Sequence, residues 1–520
     1  MVVVSPYPAV DIPEVPLTAF VLEGASEFGD KPALIDGPSG RTITYEELAG
    51  RVQALGAGLR ARGFGKGDCF AIYMPNLPEY AIAFHGVVSV AGIVTTVNPL
   101  YTSDELAFQL EDSKARFLLT IPQFLDNAGK AADKAGVEEV FVLGDAEGAT
   151  SVAELLSAST DAPAVDFDVH DDLAVLPYSS GTTGFPKGVM LTHHNLVSNI
   201  KQFHGAQSVD STDSFIGLLP FFHIYGMTVL MNGGLRSGAT IVTIPRFDLE
   251  QFLELSQKYS TTRAYLVPPV ILALAKHPVV DNYDLTSIKL IMSGAAPLSG
   301  DLAAAASERL GCHVMQGYGL TETSPVTHCV PEDPARNKPG SIGPPIPNTE
   351  CIVVDPASGE EVATDELGEV WIRGPQIMKG YLNNDMATSM TIDSEGWLHS
   401  GDIGRVDSDG YFFLVDRLKE LIKYKGMQVA PAELEALLLS HPLISDAAVI
   451  GVVDEEAGEV PKAFVVLAGE LGEDDIKTYV AERVAPHKRV RVVEVVESIP
   501  KSASGKILRR VLKDKETTTR

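Results

Sequence analysis

The stretch Tyr178-Ser179-Ser180-Gly181-Thr182-Thr183-Gly184-Phe185-Pro186-Lys187-Gly188 decides both the fold and the chemistry of this chain. It stands between the apolar segment Leu173–Pro177 and the helix-like segment Asn195–Phe203. Glycines let backbone N–H groups approach a ligand closely, hydroxyls add short hydrogen bonds, and a lysine adds a point charge. The stretch therefore predicts a loop that binds the phosphates of a nucleotide.

This loop departs from the common phosphate-binding pattern. A Walker loop has Gly, four residues and then Gly-Lys-Ser/Thr, whereas here Pro186 precedes Lys187 and Gly188 follows it. Clusters of Gly, Ser and Thr are also typical of mobile surface loops. The stretch alone leaves both interpretations open.

Length and charge restrict the possible partners. The 520 residues give room for roughly three to four domain-sized units. With 45% apolar and 21% charged residues, the composition is that of a globular protein. The 69 acidic and 41 basic residues give a net charge of −28, which argues against nucleic acid and anionic membranes as partners. An anionic substrate must therefore meet local basic groups.

The sequence predicts a cytoplasmic protein without a stable membrane anchor. Residues 1–6 lack the basic and long apolar regions of a signal peptide, and no apolar stretch is long enough to cross a bilayer. The last residues, 517–520, are not a peroxisomal Ser-Lys-Leu signal. The cysteines are scattered without metal-site spacing and are expected to be buried free thiols: Cys69, Cys312, Cys329 and Cys351.

Strand-like and helix-like segments alternate along the first part of the chain. Thr44 and Glu47 resemble a capping box, and Gly63 is placed to end the helix that follows. Apolar runs consistent with strands are Phe70–Met74, Ile93–Val97, Phe117–Ile121 and, further on, Ala239–Ile244. Asp248 can cap a further helix, with Gln251 at the box position. This alternation predicts an α/β fold with mainly parallel strands.

Two further loops resemble the first in style. Leu290–Pro297 predicts a strand that runs into a turn of small residues, and Met315–Thr323 predicts a second such loop. Between them and the first loop, Leu218–Gly226 is apolar with a single histidine, His223. Ligands collect at the carboxyl ends of strands in open α/β sheets, so these loops are expected to meet.

The chain changes character twice after this point. From about Ile342 it reads as strands punctuated by Gly and Pro, which predicts a small β-rich subdomain. Beyond Asp416-Arg417 it changes to a small α+β pattern, with a helix from Pro431 and a basic tail, Lys501–Lys506. We predict a large domain over residues 1–416 and a small mobile domain over residues 417–520.

Five segments, in this order, resemble the adenylate-forming acyl-CoA synthetase superfamily: Tyr178–Val189, Gln316–Thr323, Ser400–Asp402, Asp416–Gly426 and Pro500–Lys506. The chain is most similar to the 4-coumarate:CoA ligase group, especially over Val415–Gly426 and Gln428–Glu435. The resemblance spans nearly the whole chain. It implies a reaction in which a carboxylate and ATP give acyl-AMP and pyrophosphate, and coenzyme A then displaces AMP to give a thioester.

The resemblance also implies the nucleotide site. Glu322 is expected to hold Mg²⁺ and Thr321 to contact the α-phosphate, while Asp402 and Arg417 hold the ribose. The β- and γ-phosphates are expected at Ser179, Ser180, Gly181, Thr182, Thr183, Gly184 and Lys187. The adenine and adjoining groups are expected at Gly294, Ala295, Ala296, Pro297, Gln316, Gly317, Tyr318 and Gly319.

In the small domain, the resemblance makes Lys506 the group that bridges the substrate carboxylate and the phosphate during adenylation. It places Lys423 and Gln428 at the same site and makes Lys419 the hinge on which this domain turns. Lys425 and Gly426 are then expected to admit the pantetheine arm of coenzyme A. The alternatives left open are a solvated basic tail and lysines on one exposed face.

For the acid, the resemblance implies an apolar pocket beside His223. It makes His223 a residue that gates access of the thiol; the alternative is a core histidine whose hydrogen bonds are made within the protein. Its lining is expected to be Ile224, Tyr225, Thr228, Val229, Leu266, Met292, Gly317, Gly319, Pro325 and Val326. An apolar pocket accepts a cinnamate or a medium- to long-chain fatty acid. Luciferase-like or carrier-loading adenylation and a non-catalytic nucleotide sensor are further hypotheses. The protein is expected to be a monomer or homodimer.

Overall fold

The computed structural model describes residues 2–157, 165–179, 186–425, 427–454, 456–502 and 505–518. Most of the predicted site therefore falls on described residues. The predicted ligand contacts that lie outside them are Ser180, Gly181, Thr182, Thr183, Gly184 and Gly426.

An eight-stranded sheet carries the phosphate stretch. Its central strands are parallel, while the strands that flank this stretch run antiparallel to each other. In spatial order its strands are Gly380–Tyr381, Lys187–Thr192, Leu173–Ser179, Ile93–Thr96, Cys69–Tyr73, Ala115–Thr120, Glu139–Val142 and Thr150–Ser151. The predicted parallel α/β arrangement is confirmed.

Two four-stranded sheets, also largely parallel, accompany the first. One contains, in order, Ser214–Gly217, Thr240–Thr243, Pro32–Asp36 and Thr42–Thr44. The other contains Arg263–Leu266, Leu290–Ser293, His313–Gly319 and Val326–Cys329. One apolar core joins all three sheets, and a second lies between the eight-stranded sheet and the helices Ser103–Ser113 and Leu125–Ala135.

The predicted β-rich subdomain is an antiparallel five-stranded sheet. Its strands are Val3–Val4, Glu350–Val354, Gly368–Arg373, Leu398–Val406 and Phe412–Arg417. A separate sheet begins at Ile422 and has its own apolar core. Its strands are Ile422–Tyr424, Met427–Val429, Ile444–Asp454, Gly458–Leu467 and Val492–Val495.

The two regions meet at the end of strand Phe412–Arg417. The Asp416 carboxylate accepts a hydrogen bond from the Ala432 N–H at 2.8 Å, in the first turn of helix Pro431–Leu439. That helix has no cap from its own Ala430, so Asp416 satisfies one of its free N–H groups. Arg509 pairs with Glu435 of the same helix at 2.6 Å. The boundary at 416/417 stays a prediction.

The helices follow the predicted pattern. Thr44 caps helix Tyr45–Ala61 in a capping box with Glu47, and Gly63 follows with a φ of 73°. Asp248 caps helix Leu249–Lys258 through the N–H of Gln251. The remaining α-helices are Leu17–Val21, Ala25–Phe28, Pro78–Val88, Ser103–Ser113, Leu125–Ala135, Ala153–Leu156, His193–Ala206, Gly234–Arg236, Pro268–Lys276, Gly300–Leu310, Asp385–Thr391, Glu473–Ala481 and Arg509–Thr518.

A π-helix and several 3₁₀ segments complete the secondary structure. Tyr225–Gly233 is a π-helix, and the 3₁₀ segments are Pro122–Phe124, Pro278–Asn282, Thr321–Thr323, Pro334–Arg336 and Pro486–Lys488. All four cysteines are buried free thiols, as predicted. Among the described residues, no helix has both the length and the apolarity needed to cross a bilayer.

Candidate active site

The two ends of the phosphate stretch face each other across a pair of antiparallel strands. The register places Lys187 opposite Ser179, so the chain leaves one strand and re-enters the other at the same edge of the sheet. Lys187 is thus the first residue of the strand that the chain re-enters. The residues between them lie outside the described part of the chain.

A tyrosine that the sequence did not single out joins Lys187 to Glu322. Tyr381 lies on the edge strand paired with Lys187–Thr192, and its ring centroid is 4.2 Å from the Lys187 Nζ. Its hydroxyl donates to the Glu322 Oε1 at 2.8 Å. Burial and the Glu322 charge raise the pKa of Tyr381, so the hydroxyl stays protonated and orients the carboxylate.

Local hydrogen bonds fix the backbone around Glu322. The Leu320 N–H donates to the Thr323 Oγ1 at 3.0 Å, and the Met378 N–H donates to the Glu322 carbonyl at 2.9 Å. Gly319 is required just before this turn, because a Cβ there would lie 1.9 Å from the carbonyl oxygen of Pro325. Thr321 and Glu322 are therefore held by a rigid turn directly after strand His313–Gly319.

Asp402 and Arg417 come together because they are paired residues on neighbouring antiparallel strands. The Arg417 Nε lies 3.2 Å from the Asp402 Oδ1. The Tyr318 hydroxyl donates to the other carboxylate oxygen at 2.5 Å, and burial together with Asp402 raises the pKa of Tyr318. Asp402 is itself buried, so these two partners stabilise its charge. A carboxylate accepts up to about four hydrogen bonds, which leaves acceptor capacity for a ligand.

Lys506 enters this group from the small domain. Its turn is closed by hydrogen bonds from the Ser502 N–H to the Lys506 carbonyl and from the Lys506 N–H to the Ser502 Oγ. At Gly505, whose φ is 78°, a Cβ would lie 3.2 Å from the Val267 side chain, so the turn packs against the large domain. The predicted catalytic lysine is therefore docked onto the large domain.

The electrostatic surroundings of Lys506 identify its neighbours. Burial, followed by the positive charge of Arg417, lowers the pKa of Lys506 to about 8. The carboxylates of Asp402 and Glu322 act in the opposite direction. The guanidinium of Arg509 also lowers this pKa. The half-buried ammonium thus lies near two guanidinium groups and two carboxylates. An anionic ligand there would raise its pKa again.

His223 is neutral in this setting. Its Nδ1 accepts a hydrogen bond from the Tyr225 N–H at 3.3 Å, so the ring proton is on Nε2. Burial, followed by the charge of Lys506, lowers the pKa of His223 to about 4. The ring can donate one hydrogen bond from Nε2 without becoming charged.

The turn of small residues at the predicted adenine contact is supported by a buried side chain. Gln316, predicted to bind the nucleotide, is buried, and its Oε1 accepts a hydrogen bond from the Leu298 N–H at 3.0 Å. Ala295 has a φ of 67°, a left-handed conformation that is uncommon for a residue with a Cβ. Ala295 and Pro297 are exposed, while Ala296 is half-buried. The turn offers backbone and small side chains as a flat contact.

The predicted lining of the acid pocket is buried and mostly apolar. The Tyr225 hydroxyl donates to the Met292 carbonyl at 3.2 Å, which ties the π-helix to strand Leu290–Ser293. Two polar atoms interrupt this apolar surface: the Thr228 Oγ1 and the Ser293 Oγ are buried and have no hydrogen-bond partner among the described residues. Gly317 and Gly319 are half-buried, and the other predicted lining residues, fully buried, are Ile224, Val229, Leu266, Pro325 and Val326.

The other predicted residues of the small domain lie apart from this group. Lys419 is exposed, and Lys423 pairs with Gln428 in a hairpin whose turn contains Lys425, with a φ of 48°. All four side chains are exposed. Across the described residues, no hydrogen bond or ion pair joins them to Asp402 or Lys506. Their roles stay predictions.

Comparison with known proteins gives consistent matches over almost the whole chain. The model of the AMP-binding enzyme family matches residues 21–382, and that of the AMP-binding enzyme C-terminal domain matches residues 433–506. The 4-coumarate:CoA ligase 1 of Petunia hybrida is 44% identical over 521 residues, which cover 98% of this chain and 96% of that protein.

Solved structures agree with these matches. An anthranilate CoA ligase in complex with anthranoyl-AMP has a TM-score of 0.90 at 27% identity, covering 97% of this chain and 98% of that one. ATP-bound MatB from Rhodopseudomonas palustris has a TM-score of 0.87 at 28% identity, covering 96% and 99%. These likenesses confirm the predicted fold class.

Proposed function

Because the chain belongs to the AMP-binding enzyme family, we propose that it is an ATP-dependent carboxylic acid:CoA ligase of the 4-coumarate/cinnamate type. It forms an acyl-AMP with release of pyrophosphate, and then an acyl-CoA thioester with release of AMP. The observation that carries this proposal is that the turn carrying Lys506 packs against Val267, where the charges of Asp402, Glu322 and Arg417 act on its ammonium. A half-buried cation at this place suits the joining of two anionic reactants.

In the first step, a carboxylate oxygen of the acid forms a bond to the α-phosphorus of ATP, and the bond to the bridging oxygen of pyrophosphate breaks. The Lys506 ammonium neutralises the carboxylate and the α-phosphate, which otherwise repel each other. His223 donates from Nε2 to the acid without taking its proton, since a carboxylic acid is already ionised at neutral pH. Thr321 positions the α-phosphate, and Lys187 with the glycine-rich stretch holds the β- and γ-phosphates.

The residues present suit a Mg²⁺ ion at Glu322. This carboxylate is half-buried at the end of the phosphate stretch, and the Tyr381 hydroxyl orients it while using one oxygen. Mg²⁺ prefers carboxylate and phosphate oxygens. When bound with ATP, the ion neutralises the charge that builds up on the departing pyrophosphate. Glu322 supplies the protein ligand, and Tyr381 keeps its carboxylate in place.

For the nucleoside, we assign the ribose hydroxyls to Asp402 and Arg417, with Tyr318 beside them. The buried carboxylate accepts hydrogen bonds from the two hydroxyls, as in other ribose sites. The adenine lies against the turn Gly294–Pro297, whose small side chains allow close contact. Gln316 supports this turn through Leu298 and so acts through the backbone.

For thioester formation, we propose that the small domain, residues 417–520, turns about Lys419. Lys506 then leaves the site, and the hairpin that carries Lys423, Lys425 and Gln428 faces it, with Gly426 as a predicted contact of the pantetheine arm. A single active site thus serves two reactions in turn. Neutral His223 borders the path of the thiol.

The buried Thr228 hydroxyl favours an aromatic acid with a polar ring substituent over a fatty acid. A buried hydroxyl without a partner costs about 1–3 kcal/mol, and a ring hydroxyl of the substrate would satisfy it. The relatives named 4-coumarate:CoA ligase support the same class of acid. A fatty acid would leave Thr228 unsatisfied, so we place medium- and long-chain fatty acids second.

The test is a pyrophosphate-release screen of cinnamates, benzoates and C6–C18 fatty acids, with and without coenzyme A. We expect release with cinnamates and thioester formation only when coenzyme A is present. Absence of a CoA thioester with every acid would overturn the ligase assignment. Lys506→Ala is expected to abolish acyl-AMP formation and to keep thioester formation from supplied acyl-AMP; equal loss of both steps would contradict the role of Lys506.

A further inference from the structure

A second group of potential metal ligands lies on the large domain, away from the active site. Glu14, His170 and His194 each offer one ligand atom, and these atoms all lie within 4.8 Å of one another. Within the described part of the chain, this is the one such group of three or more side chains. His194 follows the far end of strand Lys187–Thr192, about 17 Å from Lys187 at the usual rise of a strand.

Backbone hydrogen bonds hold these three segments together. The His194 N–H donates to the Val169 carbonyl at 2.8 Å, which places His194 beside the turn that carries His170. That turn is fixed in its own right, since the His170 N–H donates to the Asp168 Oδ1 at 3.1 Å. The meeting of the two imidazoles therefore follows from the fold.

The segment that carries Glu14 is tied to the same place. The Leu17 N–H donates to the Nδ1 of buried His193, the residue before His194, at 3.1 Å. The segment is also anchored upstream, where the Val10 N–H donates to the Asn348 side chain at 3.0 Å. Glu14 lies between these two anchors.

The distances are close to those of a tetrahedral metal site. The His170 Nε2 is 2.8 Å from the Glu14 Oε2, and the His194 Nδ1 is 3.8 Å from the Glu14 Oε1. Two ligands of a tetrahedral zinc ion, each about 2.1 Å from the metal, are about 3.4 Å apart. The side chains of Glu14 and His170 are more than half exposed, so small rotations can close the difference.

The His194 side chain has a nitrogen that is available to a metal ion. Its Nδ1 is buried and has no hydrogen bond within the described residues. Glu14 supplies the negative charge that a divalent cation at the start of a helix requires.

The acidic residues nearest to this group are already paired. Asp171 lies 2.7 Å from the Lys379 Nζ, and Asp172 lies 2.7 Å from the Lys66 Nζ. Asp168 accepts the backbone N–H groups of its own turn. The ligand set is thus two imidazoles and one carboxylate.

We propose that Glu14, His170 and His194 form a binding site for a divalent transition-metal ion of the Zn²⁺ class. Imidazole nitrogens with one carboxylate suit Zn²⁺, whereas Mg²⁺ and Ca²⁺ prefer oxygen ligands alone. Water completes the coordination. The bound ion connects the N-terminal segment to helix His193–Ala206 and stabilises the folded chain, because the ligands come together only on folding.

The test is a titration of the chelator-treated full chain with Zn²⁺ in competition with a chromophoric indicator. We expect one equivalent to bind, and Glu14→Gln, His170→Ala and His194→Ala each to weaken the affinity at least about tenfold. His487→Ala, which removes a histidine of the small domain, is the matched control and should bind as the unaltered protein does. Glu14 and His170 are exposed, so their variants are expected to fold.

Two further measurements separate this site from surface binding. One equivalent of Zn²⁺ should raise the Tm of the unaltered chain and of His487→Ala, but not that of the double variant His170→Ala/His194→Ala. Co²⁺ should give the visible absorption of a tetrahedral site that the double variant lacks. Undiminished affinity and an undiminished Tm shift in the double variant, or no saturable binding by the unaltered chain, would overturn the proposal.

Discussion

The pH dependence of adenylation gives a direct test of the role of Lys506. Burial and Arg417 lower its pKa from 10.5 to about 8, which corresponds to about 3 kcal/mol against the ammonium in the closed site. The step requires the ammonium form. Therefore kcat/KM for acyl-AMP formation should be level near pH 7 and fall about tenfold per unit above pH 8, or about 30-fold by pH 9.5.

The other titrating groups that face Lys506 stay out of this window. The pKa of His223 is about 4, and those of Tyr318 and Tyr381 are raised. The assay is initial-rate pyrophosphate release with cinnamate below its KM and without coenzyme A, so that neither a phenol nor a thiol titrates. The pH dependence of kcat/KM reports groups that titrate in the free enzyme, so it reports the pKa that Lys506 has before the substrate binds.

Two variants sharpen this test. Lys506→Arg keeps its charge, so its slower adenylation should lose the fall above pH 8. Lys506→Met tests a thermodynamic effect: between pH 8 and 10.5 this lysine binds more protons in the unfolded chain than in the folded chain, so the free energy of unfolding of the unaltered protein, relative to that of Lys506→Met, should rise with pH. A level profile of the unaltered protein up to pH 10 would refute the buried-ammonium argument.

Three further substitutions probe the metal and the acid. Glu322→Gln keeps the shape but removes the charge, so the Mg²⁺ concentration for half-maximal pyrophosphate release should rise at least about tenfold; an unchanged requirement would contradict the assignment. Tyr381→Phe removes the hydroxyl that orients Glu322 and should shift the same Mg²⁺ curve by about tenfold, whereas a shift in the KM for the acid alone would point elsewhere. Thr228→Val should lower the kcat/KM ratio of 4-coumarate to cinnamate about fivefold, measured by thioester formation, and raise the Tm. An equal ratio in both proteins would refute the proposed contact between Thr228 and the ring hydroxyl.

Local sequence signals predicted the elements well, because their causes are local. The capping box of Thr44 and Glu47 marks the start of its helix, and Gly63 marks the chain reversal after its end. The alternation of apolar runs and amphipathic segments likewise fixed the α/β class. In each case the residues that determine the structure lie within a few positions of one another.

Residues that depend on long-range pairing could be predicted only in part. Asp402 and Arg417 were recognised through their motifs, but the sequence does not show that they form an ion pair; the strand register does. Tyr381 carries no local signal, because its place between Lys187 and Glu322 arises only when its two-residue strand pairs with Lys187–Thr192.

No local spacing marks Glu14, His170 and His194 as a group. His170 is more than 150 residues from Glu14, so no short metal-binding pattern links the three ligands. For Gln316, the contact with the nucleotide that its motif predicted stays a prediction. The structure adds a role that the motif did not show, since its buried side chain accepts a hydrogen bond from the Leu298 N–H.

Asp416 and Arg417 are neighbours in the chain, but their side chains make contacts in two different parts of the fold. Successive side chains of a strand point to opposite faces, so Arg417 reaches the buried carboxylate of Asp402 while Asp416 caps helix Pro431–Leu439. Neither contact can shift without moving the other. The free-energy effects of substitutions at Asp402 and at Asp416 should therefore fail to add, although one lies in the nucleotide site and the other at the domain joint.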